Sequence, residues 1–326
     1  MPGYEAVEFT GGGQVRFGPR ERPTEPLGAN EVEGTTLFSL VSPGTEGAIL
    51  TKELYAPKVF GYAATFRVDA VGSAVVGIAP GEIVFGLGVH ASYQRLDAEL
   101  VIPVPRGLPP EVAVFARLMG VPWTTLVLTA ARPNDSVLVT GLGLVGHLAA
   151  KCFAAAGYRV TAYDPDAGRR GLLARSPGIA VIDEVLPSPD DGGYALVMDC
   201  SGHEDAVLAG ARAARHTGEV ALVGAPWHRR SDASAHDLID VVFHRFLTLR
   251  SGWEFALPNS PVRGVPGSIR ESLTGALAWL ADGRIDVAGL ARVTDPADAG
   301  NAYAALAAAP ADHLTALFDW REHASA

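Results

Sequence analysis

The chain has 326 residues, enough for two domains with full cores, and its 48% hydrophobic and 19% charged residues suit a globular protein. Its net charge of -10 disfavours nucleic acid and anionic membrane as partners, because neither is attracted to an acidic field. No apolar run approaches the roughly 20 residues that cross a bilayer, and no basic-then-apolar leader opens the chain, so a cytoplasmic protein is expected.

Residues 1–120 show short apolar runs separated by Gly and Pro, at 14–17, 32–41, 65–75, 82–85, 93–96 and 99–104. Such spacing predicts a twisted antiparallel or partly open barrel of short strands. Around Val112 the pattern changes. Residues 111–119 and 123–131 read as helices, each opened by a proline-containing segment, the second by Val121-Pro122.

The stretch 136–164 then carries the strongest signal. Val137-Leu138-Val139-Thr140 reads as a buried strand, and Gly141, Gly143 and Gly146 follow in the GxGxxG spacing. A helical run at 147–156 is closed by Gly157, and a second strand at 158–163 ends on Asp164. The chemistry of that pattern is specific. Gly141 permits the tight turn, Gly143 admits a pyrophosphate close to the backbone, and Gly146 lets helix pack on strand. The phosphates then meet the first amides of the helix, which include those of Leu144 and Val145. Asp164, 18 residues past Gly146, accepts hydrogen bonds from the adenosine ribose and disfavours a 2′-phosphate. NAD is therefore the expected cofactor, and NADP the less expected one. Arg169 and Arg170 read as adenine stackers, solvated charges or a clamp for that phosphate.

Beyond Asp164, strands at 179–182, 195–199, 219–223 and 247–250 alternate with helices at 206–214 and 237–245. That alternation predicts a doubly wound parallel sheet. Ligands of such sheets lie at the carboxyl ends of strands, which here are Cys200-Ser201-Gly202, Gly224-Ala225 and Ser251-Gly252-Trp253. A proline-rich segment at 258–267 precedes a helix at 268–281, a strand near 289–293, a helix at 296–309 opened by Asp295, and a strand at 314–318. Cys152 and Cys200, the two cysteines, allow neither a disulfide framework nor a cysteine metal cluster, and read as small buried hydrophobes.

In the order of its parts the chain resembles the medium-chain dehydrogenase/reductase superfamily, the zinc alcohol dehydrogenase-like proteins. The motifs are Phe38-Ser39-Leu40-Val41-Ser42-Pro43-Gly44-Thr45-Glu46, Pro80-Gly81-Glu82-Ile83-Val84, Thr124-Thr125 and Asp199-Cys200-Ser201-Gly202. The first is similar to the loop of the subgroup that contains bacteriochlorophyllide dehydrogenase. The resemblance implies an α/β fold, with a GroES-like β-barrel catalytic domain plus a doubly wound parallel-sheet Rossmann domain. It places the barrel at 1–121 and 256–326 and the Rossmann domain at 122–255. It also implies that Thr124 touches the nicotinamide, that the last two strand ends, at Gly224-Ala225 and Ser251-Gly252-Trp253, flank it, and that two subunits pair their Rossmann edge strands into a homodimer.

Where the zinc members carry metal ligands, this chain has Ser42, Tyr62 and Gly120, and the cysteine-rich lobe that holds structural zinc is missing. Such residues supply no thiolate, imidazole or carboxylate, so no zinc is expected. By the resemblance Thr45 takes the place of the hydroxyl residue of the proton relay and Glu46 that of the acid beside it, while Ile49 replaces the relay histidine. Each candidate has a plainer reading. Thr45 and Glu46 also suit capping of a helix at 47–50, Tyr62 suits packing in the space of the metal, and His90 suits a loop histidine bonded to backbone. The expected function is a zinc-independent, NAD(H)-dependent interconversion of a secondary alcohol and a ketone on a small metabolite. An enoyl or quinone reductase, or a non-catalytic NAD(H)-binding protein, are the alternatives.

Overall fold

The computed structural model describes residues 3–323 apart from 53, 55, 187–191 and 309–311. The chain divides into two compact units, one made of Met1–Arg117 and Leu277–Ala326, the other of Leu118–Ala276.

In the first unit the strands run β1 (Gly3–Gly11), β2 (Gln14–Glu21) and β3 (Glu31–Leu40), followed by helix α1 (Pro43–Leu50). Then come β4 (Lys58–Val59), β5 (Ala64–Val71), β6 (Ile83–Gly86), β7 (Tyr93–Asp97), β8 (Val101–Pro103) and the single turn α2 (Pro110–Ala113). β1 and β2 form a hairpin through Gly11-Gly12-Gly13, all three at positive φ, a conformation that a Cβ would strain. β3 alternates half-buried and buried positions along its first eight residues, the period of a pleated strand with one face on the core. It is the hub of a seven-stranded sheet: β5 pairs along one edge, and β7 shares the other edge with a strand from the end of the chain.

The second unit begins within α3 (Ala116–Leu128) and continues β9 (Ser136–Thr140), α4 (Leu144–Ala155), β10 (Arg159–Tyr163), α5 (Ala167–Leu173) and β11 (Ile179–Ile182). It goes on through β12 (Tyr194–Asp199), α6 (Glu204–Ala213), β13 (Ala214–Leu222), α7 (Ala235–His244) and β14 (Thr248–Ser251) and ends within α8 (Ile269–Ala281). The six strands are all parallel in the order β11-β10-β9-β12-β13-β14, which reverses direction at β9. That reversal creates the crevice where doubly wound sheets bind nucleotides. Val137, Val139, Phe153, Ala162, Leu196 and Met198 pack in the core on one side of the sheet, while Leu138, Val197, Val220 and Leu247 pack on the other.

After α8 the chain adds β15 (Ala291–Thr294), α9 (Ala299–Ala307) and β16 (Thr315–Asp319) to the first unit. β16 lies antiparallel to β3 through Leu317, Phe318 and Asp319, and Phe318 and Trp320 join Val7, Phe9 and Tyr303 in the barrel core.

Several expectations are corrected. Pro122 lies inside α3 and does not open it, and the whole run Pro110–Leu128 has 19 residues at mean hydropathy 1.3, apolar enough to match a membrane span in length and composition. Most of it is buried, so core packing accounts for its apolar character. The expected strand at 99–104 is a 3-10 turn, Ala98–Leu100, followed by β8. β13 begins at Ala214, five residues earlier than the apolar run suggests, because Ala214 pairs with Tyr194 ahead of a register shift. Asp295 opens a 3-10 turn, Pro296–Asp298, with α9 only then beginning; the expected helix end at Ala309 falls outside the described residues.

Candidate functional site

The nucleotide-side candidates gather at the carboxyl ends of β9, β10, β12, β13 and β14 in the second unit. Gly141 has φ 83, and a Cβ there would meet Ser201 N at 2.6 Å. A Cβ on Gly146 would meet Gly141 O at 1.8 Å, so the helix start packs directly on the turn. At Gly143 a Cβ would meet nothing within 4 Å, which leaves room above the loop for a phosphate to approach. Gly143 is also the N-cap of α4 and supplies no side chain to its first amides, so those of Leu144 and Val145 stay available to an anion. These features fit a dinucleotide.

Asp164 is almost fully buried. Its Oδ2 accepts the Leu142 amide at 2.7 Å, its Oδ1 accepts the Asp166 amide at 2.8 Å, and Arg169 Nη1 stands 3.7 Å from Oδ2. Each carboxylate oxygen keeps a second lone pair for a ribose hydroxyl. Arg170 donates to the carbonyls of Asp164 and Pro165, which fixes it to backbone. Asp199 accepts from Thr140 Oγ1, Ser201 Oγ and the Ser201 and Gly202 amides, and burial raises its pKa above the ordinary value. It thereby ties the ends of β9 and β12 together. The following turns pack without side-chain space: a Cβ on Gly224 would meet Gly202 N at 2.3 Å, and one on Gly252 would meet Val223 Cγ2 at 2.6 Å. Cys200 is half-buried, and burial holds its thiol well above the ordinary range, so it is no nucleophile. Ala225, Ser251 and Trp253 are exposed. Thr124 is buried and directs its hydroxyl at Gly120 O within α3.

The barrel unit brings the other candidates together. Ser42 is the N-cap of α1, which starts at Pro43 and therefore earlier than the expected 47–50. With Thr45 and Glu46 inside α1, neither caps a helix at 47–50; Glu46 instead reaches back to accept the Ser42 amide at 2.8 Å. Its other oxygen serves a buried cluster. Oε2 faces His90 Nε2 at 3.0 Å and accepts the Tyr303 phenol. His90 Nδ1 faces Ser39 Oγ at 2.8 Å, and Trp320 Nε1 donates to the same oxygen at 2.8 Å. With Glu46 as carboxylate, one arrangement satisfies all of them: Trp320 donates to Ser39, Ser39 to His90 Nδ1, and His90 Nε2–H to Glu46. His90 is fully buried and its ring bonds side chains, which corrects the expectation of a backbone-bonded loop histidine. Its burial also removes it from contact with a substrate.

The Tyr62 phenol has the Ser42 and Thr45 side chains beside it, and the Arg117 guanidinium lies 4.5 Å from its ring centre. Burial raises its pKa above the ordinary phenol value; the Ser42 and Thr45 hydroxyls and Arg117 pull it down, and the Glu46 charge pushes it up. The net effect keeps Tyr62 protonated at neutral pH. Ser39, Arg117, Tyr303 and Trp320 are members that sequence reasoning missed, and only Ser39, inside the GTE-containing loop, stands beside a motif.

At the metal-ligand positions the donor set does not fit zinc. Ser42 and Tyr62 offer hydroxyls only, and a Cβ on Gly120 would meet Leu273 Cδ2 at 2.9 Å. Among the described residues, no group of three or more His, Cys, Asp or Glu can hold a metal ion.

No protein-family profile matches the chain. It is 32% identical over 155 residues to the L-threonine 3-dehydrogenase of Pyrococcus furiosus, a match covering 43% of this chain and 44% of the relative. The chain thus spans less than half the length of that relative. A solved protein of Sinorhizobium meliloti 1021 bound to NADP superposes with a TM-score of 0.79 at 19% identity, over 98% of this chain and 100% of that one. The acetophenone reductase of Geotrichum candidum in complex with NAD gives 0.79 at 15% identity over 98% of both chains. These likenesses establish the fold, a GroES-like barrel plus a Rossmann unit.

Proposed function

We propose that the chain is a medium-chain dehydrogenase/reductase that interconverts a ketone and a secondary alcohol with NAD(H) and without zinc. The observation that carries this is Tyr62, a phenol kept protonated among Ser42, Thr45 and Arg117. When bound, the nicotinamide supplies or takes the hydride. The barrel residues handle the proton. In the reducing direction the Tyr62 hydroxyl donates to the carbonyl oxygen as negative charge develops there. The Ser42 and Thr45 hydroxyls and the Arg117 charge stabilise the phenolate that results, until water reprotonates it. Glu46, locked by three donors, contributes a fixed negative charge that returns the phenol to its protonated form. Asp164 supports NAD over NADP, and the Ser42, Tyr62 and Gly120 donor set supports zinc independence.

The relative's printed activity, oxidation at a threonine hydroxyl, and the reductase neighbour's ketone belong to the same alcohol–ketone chemistry. The test is consumption of NADH with a panel of ketones and of activated double bonds. Ketone turnover, at least about tenfold lower in Tyr62→Phe with NADH affinity unchanged, supports the proposal. Turnover of the double bonds alone, or about one zinc per chain by elemental analysis, overturns it.

We further infer a homodimer through β14. Among the described residues this edge strand pairs only with β13, and beside it Ile239, Phe243, Phe246 and Leu249 are exposed. An open strand edge flanked by apolar side chains favours pairing with a second copy.

A further inference from the structure

His147 follows the last fingerprint glycine and is fully buried. Its Nδ1 lies 2.9 Å from Leu142 O, and a carbonyl only accepts, so Nδ1 carries the hydrogen. Nε2 is then a bare acceptor, and it has no hydrogen-bond partner among the described residues. Of its neighbours one turn away on α4, Leu144 is apolar and buried and so is Ala150, while Lys151 is half-buried and places a charge near the ring. A leucine would satisfy such a position without a stranded lone pair, which costs stability. The imidazole therefore needs an account in what it holds.

It holds one peptide of the glycine loop. In a trans peptide the carbonyl of Leu142 and the amide of Gly143 point in opposite directions. By fixing the carbonyl toward the helix, His147 turns the Gly143 amide the other way, at a residue where a Cβ would touch nothing within 4 Å. The preceding peptide is fixed from the other side, because Asp164 accepts the Leu142 amide. Two successive peptides of the loop are thus each held by one side chain.

We propose that His147 is a positioning residue for dinucleotide binding, which orients the Gly143 amide toward the pyrophosphate through the Leu142 carbonyl. This rests on the dinucleotide reading given above. The test is NADH binding to the purified protein, followed by nicotinamide fluorescence, with His147→Leu and His147→Asn. The asparagine amide nitrogen is attached to Cγ as Nδ1 is, so it restores the donor. We expect a dissociation constant about tenfold higher in His147→Leu, the worth of one hydrogen bond, and near-recovery in His147→Asn. The Michaelis constant for the ketone stays unchanged in both. Should His147→Leu fail to fold, His147→Gln, one methylene too long to place its donor at Nδ1, takes its place with the same expectation. Wild-type affinity in a folded Leu or Gln variant overturns this inference alone. Absence of NADH and NADPH binding in the unmodified protein overturns the dinucleotide reading, and this inference with it.

Discussion

Tyr303 on α9 donates its phenolic hydrogen to Glu46 on α1, two residues 257 positions apart in the chain. The bond joins the returning segment to the loop that carries Ser42 and Thr45, in the same buried cluster as His90. Burial, with the Glu46 charge and bond adding to it, raises the Tyr303 pKa well above the ordinary phenol value, so it remains a donor. Tyr303→Phe removes one of three donors to a buried carboxylate. A hydrogen bond to a charged group is worth about 1.5–3 kcal/mol, so a loss of that order is expected in urea unfolding of the variant. An unchanged midpoint and slope would mean that His90 and the Ser42 amide suffice.

Asp164 does two jobs, holding the Leu142 amide and presenting charge to the ribose. Like charge at a few Å from a 2′-phosphate predicts at least about tenfold preference for NADH over NADPH. Asp164→Ser should narrow this, since Arg169, now 3.7 Å from the carboxylate, is released to meet the phosphate. The double change Asp164→Ser with Arg169→Ala should then lose the gain in NADPH affinity. Titration of both cofactors into the three proteins checks it, and tighter NADPH than NADH binding in the unmodified protein contradicts it.

Burial lowers the pKa of His147 from 6.5 to about 4, so the folded chain favours the neutral ring. The unfolded chain takes up the proton first as pH falls. Stability is therefore fully present above about pH 6.5 and declines between there and about 4, by on the order of 3 kcal/mol for a shift of this size. His147→Asn has nothing to titrate in that window. Unfolding free energies measured from pH 7 to 4 should fall more steeply in the unmodified protein, and parallel curves would refute the assignment.

The β14 edge makes an association prediction. Light scattering should give twice the chain mass at micromolar concentration, and Phe243→Glu, which puts a charge on the exposed face of α7, should give the single-chain mass with an unchanged far-ultraviolet spectrum. A single-chain mass in the unmodified protein removes the dimer.

Signals legible in the sequence were those with a local physical cause. The spacing of Gly141, Gly143 and Gly146 reflects steric demands within a few residues, and β9 and β12 show as apolar runs because both faces of the parallel sheet are buried there. Alternation of parallel strands and helices then led to the second unit's architecture, and gaps in donor chemistry at Ser42, Tyr62 and Gly120 showed without coordinates. Tertiary structure alone decided what surrounds them. Glu46 meets His90 across 44 positions, His90 meets Ser39 across 51, and Trp320 meets Ser39 across 281. No periodicity records such pairs, because their geometry follows from β16 closing against β3. His147 shows the same limit at short range: a histidine on an apolar helix face is ordinary in sequence, and only the folded loop shows which carbonyl it grips.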